Sequence, residues 1–140
     1  MLGGGEMRTE EKIPYIKTLM YIALADDTID ESEMKYFEQI AHIYGLDNDE
    51  LNAIKDSIVQ RNEKIEDIVA GITERETKLT LLYELLALCY VDDNYSIVEK
   101  QGMKRICQLM GIETTKLEEL ESVMAESKLL QEKINNILER

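Results

Sequence analysis

The chain has 140 residues, 44% of them apolar and 32% charged, which is the size and balance of one globular domain. Its 29 acidic and 16 basic residues leave a net charge of −13, so the surface should repel nucleic acid and anionic membranes and attract divalent cations or basic partners. The chain has neither an apolar run of the roughly 20 residues that a membrane span needs nor a signal-like start, which predicts a cytoplasmic protein.

The first half of the chain predicts three helices after a short tail. Residues 1–7, with three consecutive glycines, are expected to be disordered. The first helix repeats apolar residues with a 3.6-residue period and runs into a polar turn, Asp26–Asp30. A second helix ends at Gly45, which suits the positive φ of a helix C-cap, and a third opens at Asp47. Residues 63–72 predict one or two further helical turns.

The second half repeats the first at an offset of 66 residues, which carries Asp26-Asp27 onto Asp92-Asp93 and Gly45 onto Gly111. The same offset superimposes positions of core type: Leu19 on Leu85, Phe37 on Met103, Ile43 on Leu109, Ile54 on Leu120 and Ile58 on Met124. Because one ungapped offset aligns helix ends, core positions and turn acids, the pattern indicates an internal duplication.

The predicted architecture is an all-α bundle of six to seven helices. Repeat one spans about residues 8–72 and repeat two about 73–138, within a single domain from 8 to 140. Repeat two opens with Thr73–Glu76, which has the pattern of a capping box. Its last segment is helical from Thr114 onward, and a break near Ser127 is left open. The apolar faces of the two pseudo-symmetric repeats are expected to pack about a pseudo-twofold axis.

The doubled aspartate pair is the most specific candidate for chemistry. Each pair follows the C-terminal end of a predicted helix, where the dipole is negative and the last carbonyls lack helical partners. A carboxylate is misplaced there by about 0.3–1 kcal/mol. A divalent cation would turn this repulsion into attraction, since Ca²⁺ takes carboxylate and carbonyl ligands. The predicted metal ligands are Asp26, Asp27, Asp30 and Glu33 in repeat one, and Asp92, Asp93 and Glu99 in repeat two.

A structural alternative accounts for the two glutamates. Asp30–Glu33 and Ser96–Glu99 both have the capping-box pattern, in which the glutamate satisfies a free backbone N–H. Aspartate is also common in turns for purely local reasons. The spacing is not that of an EF-hand, because the glutamate comes too early and the central glycine is missing. The metal hypothesis therefore depends on the aspartate pairs.

The other chemically reactive residues are expected to have structural roles. Cys89 and Cys107 align with alanines of repeat one, so both are expected to be small core residues. His42 is expected near the surface and has no nucleophile in a pattern around it. The seven tyrosines recur at helical spacing and predict half-buried core positions, and Gly102 predicts close helix packing. We find no catalytic constellation and expect a protein that is not an enzyme.

The first acidic turn resembles a known family. Residues 23–33, Ala-Leu-Ala-Asp-Asp-Thr-Ile-Asp-Glu-Ser-Glu, with their continuation to Leu46, resemble the tellurite-resistance TerB family and the related N-terminal domain of the DjlA co-chaperone. Residues 90–99 follow the pattern more loosely. The resemblance implies an all-helical domain with internal pseudo-symmetry, a cytoplasmic role in stress or metal-oxyanion resistance, and divalent-metal binding at the clustered acids. This chain has Asp27 and Asp93 where the family has glycine.

Two functions follow as hypotheses. The first is a non-enzymatic TerB-like protein that binds a divalent cation, Ca²⁺, Zn²⁺ or Mg²⁺, at the acidic turns. Ser96 stands where repeat one has Asp30, so a site in repeat two would carry fewer charges. The alternative is an acidic, co-chaperone-like interaction module that docks a basic protein without metal. Both readings expect no binding to nucleic acid or membranes, and a monomer or weak homodimer.

Overall fold

The helical fold is seen in a computed structural model that describes residues 9–24, 31–90 and 95–139. These residues form seven α-helices and no strand, which confirms the all-α prediction. The helices are α1 (Thr9–Ala23), α2 (Glu31–Ile43), α3 (Asn48–Val59), α4 (Ile65–Val69), α5 (Arg75–Cys89), α6 (Ile97–Leu109) and α7 (Thr114–Leu138). Not one of these helices combines the length and the apolar character that crossing a membrane requires.

Two helices begin at capping boxes; the sequence predicts the box at Ser96, and at Asp47 it predicts the helix start. At α3, the Asp47 carboxylate accepts a hydrogen bond from the Glu50 N–H at 2.8 Å, and the Glu50 carboxylate accepts one from the Asp47 N–H at 3.1 Å. At α6, Ser96 and Glu99 make the same reciprocal pair at 3.1 and 3.0 Å. Each box satisfies two backbone donors that the helix itself leaves unpaired.

Helix boundaries follow the offset found in the sequence. Helices α1 and α2 map onto α5 and α6, and the first residue of α3 maps onto the first residue of α7. Gly45 and Gly111 follow equivalent helices with φ of +78° and +70°, a left-handed conformation that glycine adopts without strain. Helix α7 continues unbroken through Ser127. These equivalences agree with a duplication, and the twofold relation of the halves in space stays a prediction.

The start of α5 differs from the predicted capping box. Its N-cap residue, Glu74, makes no side-chain cap. Instead, Glu11 of α1 accepts hydrogen bonds from the Thr73 N–H at 3.0 Å, the Thr73 hydroxyl at 3.1 Å and the Glu74 N–H at 3.3 Å. A carboxylate is favourable at the positive end of a helix. The cap therefore comes from a distant helix of repeat one, which no local sequence pattern could indicate.

Helices α1 and α5 lie at the centre of the bundle. Helix α1 contacts α2 to α6, and α5 also contacts α6 and α7. Full burial of each leucine or isoleucine contributes about 1.5–3 kcal/mol, so these two helices carry much of the hydrophobic stabilisation. Their fully buried side chains include Tyr15, Ile16, Leu19, Met20 and Ile22 from α1, and Leu81, Leu82, Leu85 and Leu86 from α5.

The core prediction needs one correction. The duplication assigns Ile43 and Leu109 to the core, but they are 71% and 37% exposed. Each is the last residue of its helix and lies about 100° around the helix axis from the centre of the buried face, so its apolar character alone was misleading. The close packing predicted at Gly102 is confirmed, because a Cβ built there would lie 2.7 Å from the Ile22 Cδ1 atom.

Candidate functional site

The predicted metal ligands divide into two groups. The aspartates of both turns lie outside the described residues: Asp26, Asp27, Asp30, Asp92 and Asp93. Glu33 and Glu99 are described, and both are nearly buried, with 6% and 5% of their surface exposed. They occupy the first turns of α2 and α6, which the turns lead into. Each acidic turn therefore runs into a helix whose first turn carries a buried carboxylate.

Glu99 has a local structural role. Its carboxylate accepts the Ser96 N–H in the capping box of α6, so the structural alternative drawn from the sequence is confirmed for this residue. Glu33 takes the equivalent place in α2 with the same degree of burial. Buried carboxylates are costly unless they are paired, so both side chains are held in place rather than free to follow a ligand. This makes the glutamates supporting groups beside the turns.

The helix ends that precede the turns are electrostatically negative. Helix α1 ends at Ala23 and α5 at Cys89, shortly before the aspartate pairs in the sequence. Neither helix carries a basic residue in its last turn. The terminal carbonyls hold a partial negative charge of roughly half an elementary charge, and no side chain of the same turn neutralises it. The two helix ends thus add to the negative charge of the aspartates that follow them.

The described part of the chain contains no other candidate metal site. Among the described residues, no three His, Cys, Asp or Glu side chains are grouped closely enough to hold an ion. Cys89 and Cys107 are buried, as predicted for core residues, and His42 is exposed on the last turn of α2. Burial raises the pKa of the Cys107 thiol, with Glu113 adding to the shift, and its Sγ lies 3.3 Å from the Ile112 carbonyl oxygen.

A tyrosine cluster around Glu84 was not identified from the sequence. The hydroxyl of Tyr15, a fully buried residue, donates a short hydrogen bond to the Glu84 carboxylate. Those of Tyr36 and Tyr44 approach the same carboxylate at 3.4 and 3.5 Å. The Tyr15 and Tyr44 rings also pack edge to face, with centroids 5.6 Å apart. The one signal in the sequence is a carboxylate inside the leucine-rich run of residues 81–86.

The phenols of this cluster act as hydrogen-bond donors. Burial, and next the negative charge of Glu84, raise the pKa of Tyr15 and Tyr36 far above the ordinary value and that of Tyr44 to about 12. All three hydroxyls therefore keep their protons at neutral pH and serve to fix α1 and α2 to α5 around one carboxylate. This arrangement stabilises the fold by holding three phenols on one carboxylate.

A second aromatic cluster lies beside the turn of repeat two. The Tyr95 hydroxyl donates to Glu121 at 2.6 Å, and its ring lies 5.3 Å from the Tyr90 ring, centroid to centroid. The Lys100 ammonium group lies 5.3 Å from the Tyr95 centroid, and that of Lys128 lies 5.8 Å from the Tyr90 centroid. Such cation–π contacts are typically worth about 0.5–1 kcal/mol at exposed sites. They hold two positive charges close to the second turn.

The surroundings of the two turns therefore differ in charge. An open cleft of about 400 Å³ borders the second cluster, and Lys100 and Lys104 are among the residues that line it. The offset of 66 residues places these lysines on Met34 and Glu38 of α2. At the first turn, the equivalent positions are thus neutral and negative. These two positions favour a cation at the first turn, whereas Glu121 of the second cluster, which falls on Lys55 under the same offset, favours one at the second.

Comparison with known proteins identifies a family over the first part of the chain. Residues 4–56 match the family described as tellurite resistance protein TerB. The matched range contains α1, α2 and most of α3, together with the first acidic turn, and it confirms the resemblance drawn from that turn. No curated protein and no solved structure gives a match to the chain.

Proposed function

We propose that this TerB-like chain is a non-enzymatic protein that binds a divalent cation at the acidic turns between α1 and α2 and between α5 and α6. The family description extends the proposal to a role in tellurite resistance or a related stress response. The observation that carries it is the pair of helix ends without a basic residue in the last turn, each followed by two aspartates. A cation at either turn would relieve repulsion among carboxylates and carbonyl ends.

The chemistry of the available donors favours Ca²⁺ or Mg²⁺ over Zn²⁺. Zinc prefers imidazole and thiolate ligands, but both cysteines are buried and His42 is exposed at the far end of α2. Carboxylate oxygens and helix-end carbonyls are the remaining donors near each turn, and these are the ligands of hard cations. Flexible oxygen ligation suits Ca²⁺ better than the strict octahedral demand of Mg²⁺.

We expect the first turn to bind the cation more tightly. It contains three aspartates, Asp26, Asp27 and Asp30, whereas Ser96 takes the position of Asp30 in repeat two. The TerB match also includes the first turn and stops before the second.

Calorimetric titration of the chelator-treated protein with CaCl₂, MgCl₂ and ZnCl₂ tests the proposal. The test variants are Asp26→Asn/Asp27→Asn and Asp92→Asn/Asp93→Asn. The control is Asp49→Asn/Asp56→Asn, which removes the same charge from exposed positions of α3. We expect saturable Ca²⁺ binding that the first variant abolishes, the second reduces and the control keeps. Saturation at 100 times Kd should also stabilise the fold by about 2.7 kcal/mol, visible as a higher melting temperature.

Two results would overturn the metal proposal. One is the absence of heat and of any melting shift with all three ions. The other is an equal loss of binding in the α3 control, which would show a diffuse response to negative charge. Either result would favour the alternative function, an acidic interaction module. That function predicts that a basic protein binds the wild-type chain and that added salt weakens the binding.

A further inference from the structure

The second half of α7 is a helix with no partner in the described structure. From Ala125 to Glu139, every side chain except Lys128 is exposed. Several of them are large and apolar: Leu129, Leu130, Ile134, Ile137 and Leu138 are between 40% and 76% exposed. Isolated helices gain little stability in water without an apolar face to bury. This exposed apolar face therefore indicates that another helix packs against it.

The apolar residues form a regular seam. Leu120, Val123, Ser127, Leu130, Ile134 and Ile137 follow one another at spacings of three and four residues, which is the heptad pattern of a coiled coil. We call these six residues the α7 seam. Ser127, the one polar member, is small and sits near the middle of the seam, where polar residues set register in coiled coils.

Beyond Leu120, which is half-buried against the core, the α7 seam faces away from the bundle. Leu117, Glu121, Met124 and Lys128 point towards the body, since Leu117 is buried, Met124 packs on the core, Glu121 binds Tyr95 and Lys128 lies over Tyr90. At about 100° per residue, Val123 lies roughly 120° around the helix from this line. Val123 is 54% exposed. A second helix can therefore pack along the seam from Val123 to Ile137 without displacing α5 or α6.

The charged residues beside the α7 seam indicate which helix packs on it and in which direction. We propose that the α7 seam binds the α7 seam of a second copy of this chain in antiparallel orientation. With Ser127 opposite Leu130 of the partner subunit, the layers pair Val123 with the partner's Ile134 and Leu120 with the partner's Ile137. Glu126 then lies beside the partner's Lys133. The twofold axis of the dimer generates the equivalent pair, Lys133 with the partner's Glu126.

A parallel pair lacks this complementarity. In that arrangement Glu126 would face Gln131 of the partner subunit, and Lys133 would face the partner's Leu138. Only the antiparallel register sets opposite charges against each other at both flanking positions. The seam is short, so the dimer forms in a concentration-dependent manner and is opposed by the net charge of −13 at low salt.

Sedimentation equilibrium across a concentration series tests the dimer. We expect Leu130→Asn to weaken association by about 100-fold, because it removes a leucine from each of the two central layers. Leu129→Asn is the matched control, since Leu129 is as exposed as Leu130 but lies off the seam. Glu126→Lys and Lys133→Glu should each weaken the dimer about tenfold, and the double swap should restore it.

Spin labels at Glu139→Cys test the direction. The native cysteines are buried, so the label attaches at the introduced site. In the antiparallel register, the two labelled positions lie 21 residues apart along the seam, about 32 Å. In a parallel pair they would lie side by side. A short label distance, a monomer at all concentrations up to about 1 mM, or equal effects of Leu129→Asn and Leu130→Asn would each overturn the proposal.

Discussion

Replacing Glu11 should show how much its hydrogen bonds to the start of α5 contribute to the free energy of unfolding. Glu11 is 1% exposed, and one oxygen of its carboxylate receives three hydrogen bonds at the N-terminus of α5. Its other oxygen, Oε2, is buried with no hydrogen-bond partner among the described residues. In Glu11→Gln, an amide NH₂ group would either take the buried position of Oε2 or turn towards the backbone donors.

The expected cost is about 2 kcal/mol for Glu11→Gln. A buried donor without an acceptor costs about 1–3 kcal/mol. Loss of the negative charge at the start of α5 adds roughly 0.3–1 kcal/mol. Partial retention of the neutral hydrogen bonds offsets some of this sum. Glu11→Ala should cost more, about 3 kcal/mol or above, because the Thr73 and Glu74 amides would then face no acceptor.

The loss of stability in Glu11→Gln should depend on pH. Burial pushes the pKa of Glu11 upward, but hydrogen bonds from the Thr73 and Glu74 amides and the Thr73 hydroxyl outweigh it and hold the pKa below the ordinary 4.5. A carboxyl with a depressed folded-state pKa contributes full stability above its unfolded-state pKa. That contribution is lost as pH falls through the folded-state value. The gap between wild type and Glu11→Gln should therefore be constant from pH 7 to about pH 5.5 and shrink below about pH 4.5.

Urea unfolding at pH 7, 5.5 and 3.5 measures this gap directly. Glu10→Gln is the matched control, because the neighbouring carboxyl of α1 is exposed. It should change the free energy of unfolding by less than about 0.5 kcal/mol at each pH. The reasoning fails if the two variants cost the same at pH 7, or if the Glu11→Gln gap is undiminished at pH 3.5.

Two further pairs of substitutions test the helix packing and the tyrosine cluster. Gly71→Ala should destabilise the fold by about 1–2 kcal/mol, because the new Cβ would lie 2.8 Å from the Pro14 ring, whereas Gly102→Ala meets only the flexible end of Ile22 and should cost less. Thermal unfolding compares them, and a larger cost at Gly102 would contradict this account. Tyr15→Phe should cost about 1–2 kcal/mol and more than Tyr36→Phe, since Tyr15 is fully buried on Glu84 and the Tyr36 contact is 3.4 Å long. Equal costs in urea unfolding would argue against a dominant Tyr15–Glu84 bond.

Local patterns in the sequence were enough for the helices and most of the core. The helix start at Asp47, the capping box at Ser96 and the glycines after α2 and α6 are short-range signals, and the structure has each of them. A constant offset of 66 residues also predicts equivalent helix starts, such as Asn48 and Thr114. These features depend on residues within about one helical turn of each other, where propensity and capping chemistry act.

Long-range polar contacts could not be predicted in the same way. Glu11 is 62 residues from Thr73, and Glu84 is 69 residues from Tyr15. In the sequence, Glu11 looks like an ordinary solvent-facing acid of a helix, and Glu84 stands out only as a carboxylate within the leucine-rich run of residues 81–86. Its partner is set only when α1 and α5 pack, so the information lies in the tertiary arrangement. The predicted ligand set has a similar limit, because Glu99 belongs to a capping box in any case and so carries no separate signal of a metal.

The contacts between repeats show that the family-matched segment depends on the rest of the chain. Residues 4–56 contain Tyr15 and Glu11, but the groups that satisfy them, Glu84 and the amides that begin α5, belong to repeat two. The buried face of α1 also packs on α5. Without repeat two, Glu11 would lose its donors and the apolar residues of α1 would face water, at a cost of several kcal/mol. Any cation site at the first turn therefore rests on a helix end that repeat two holds in place.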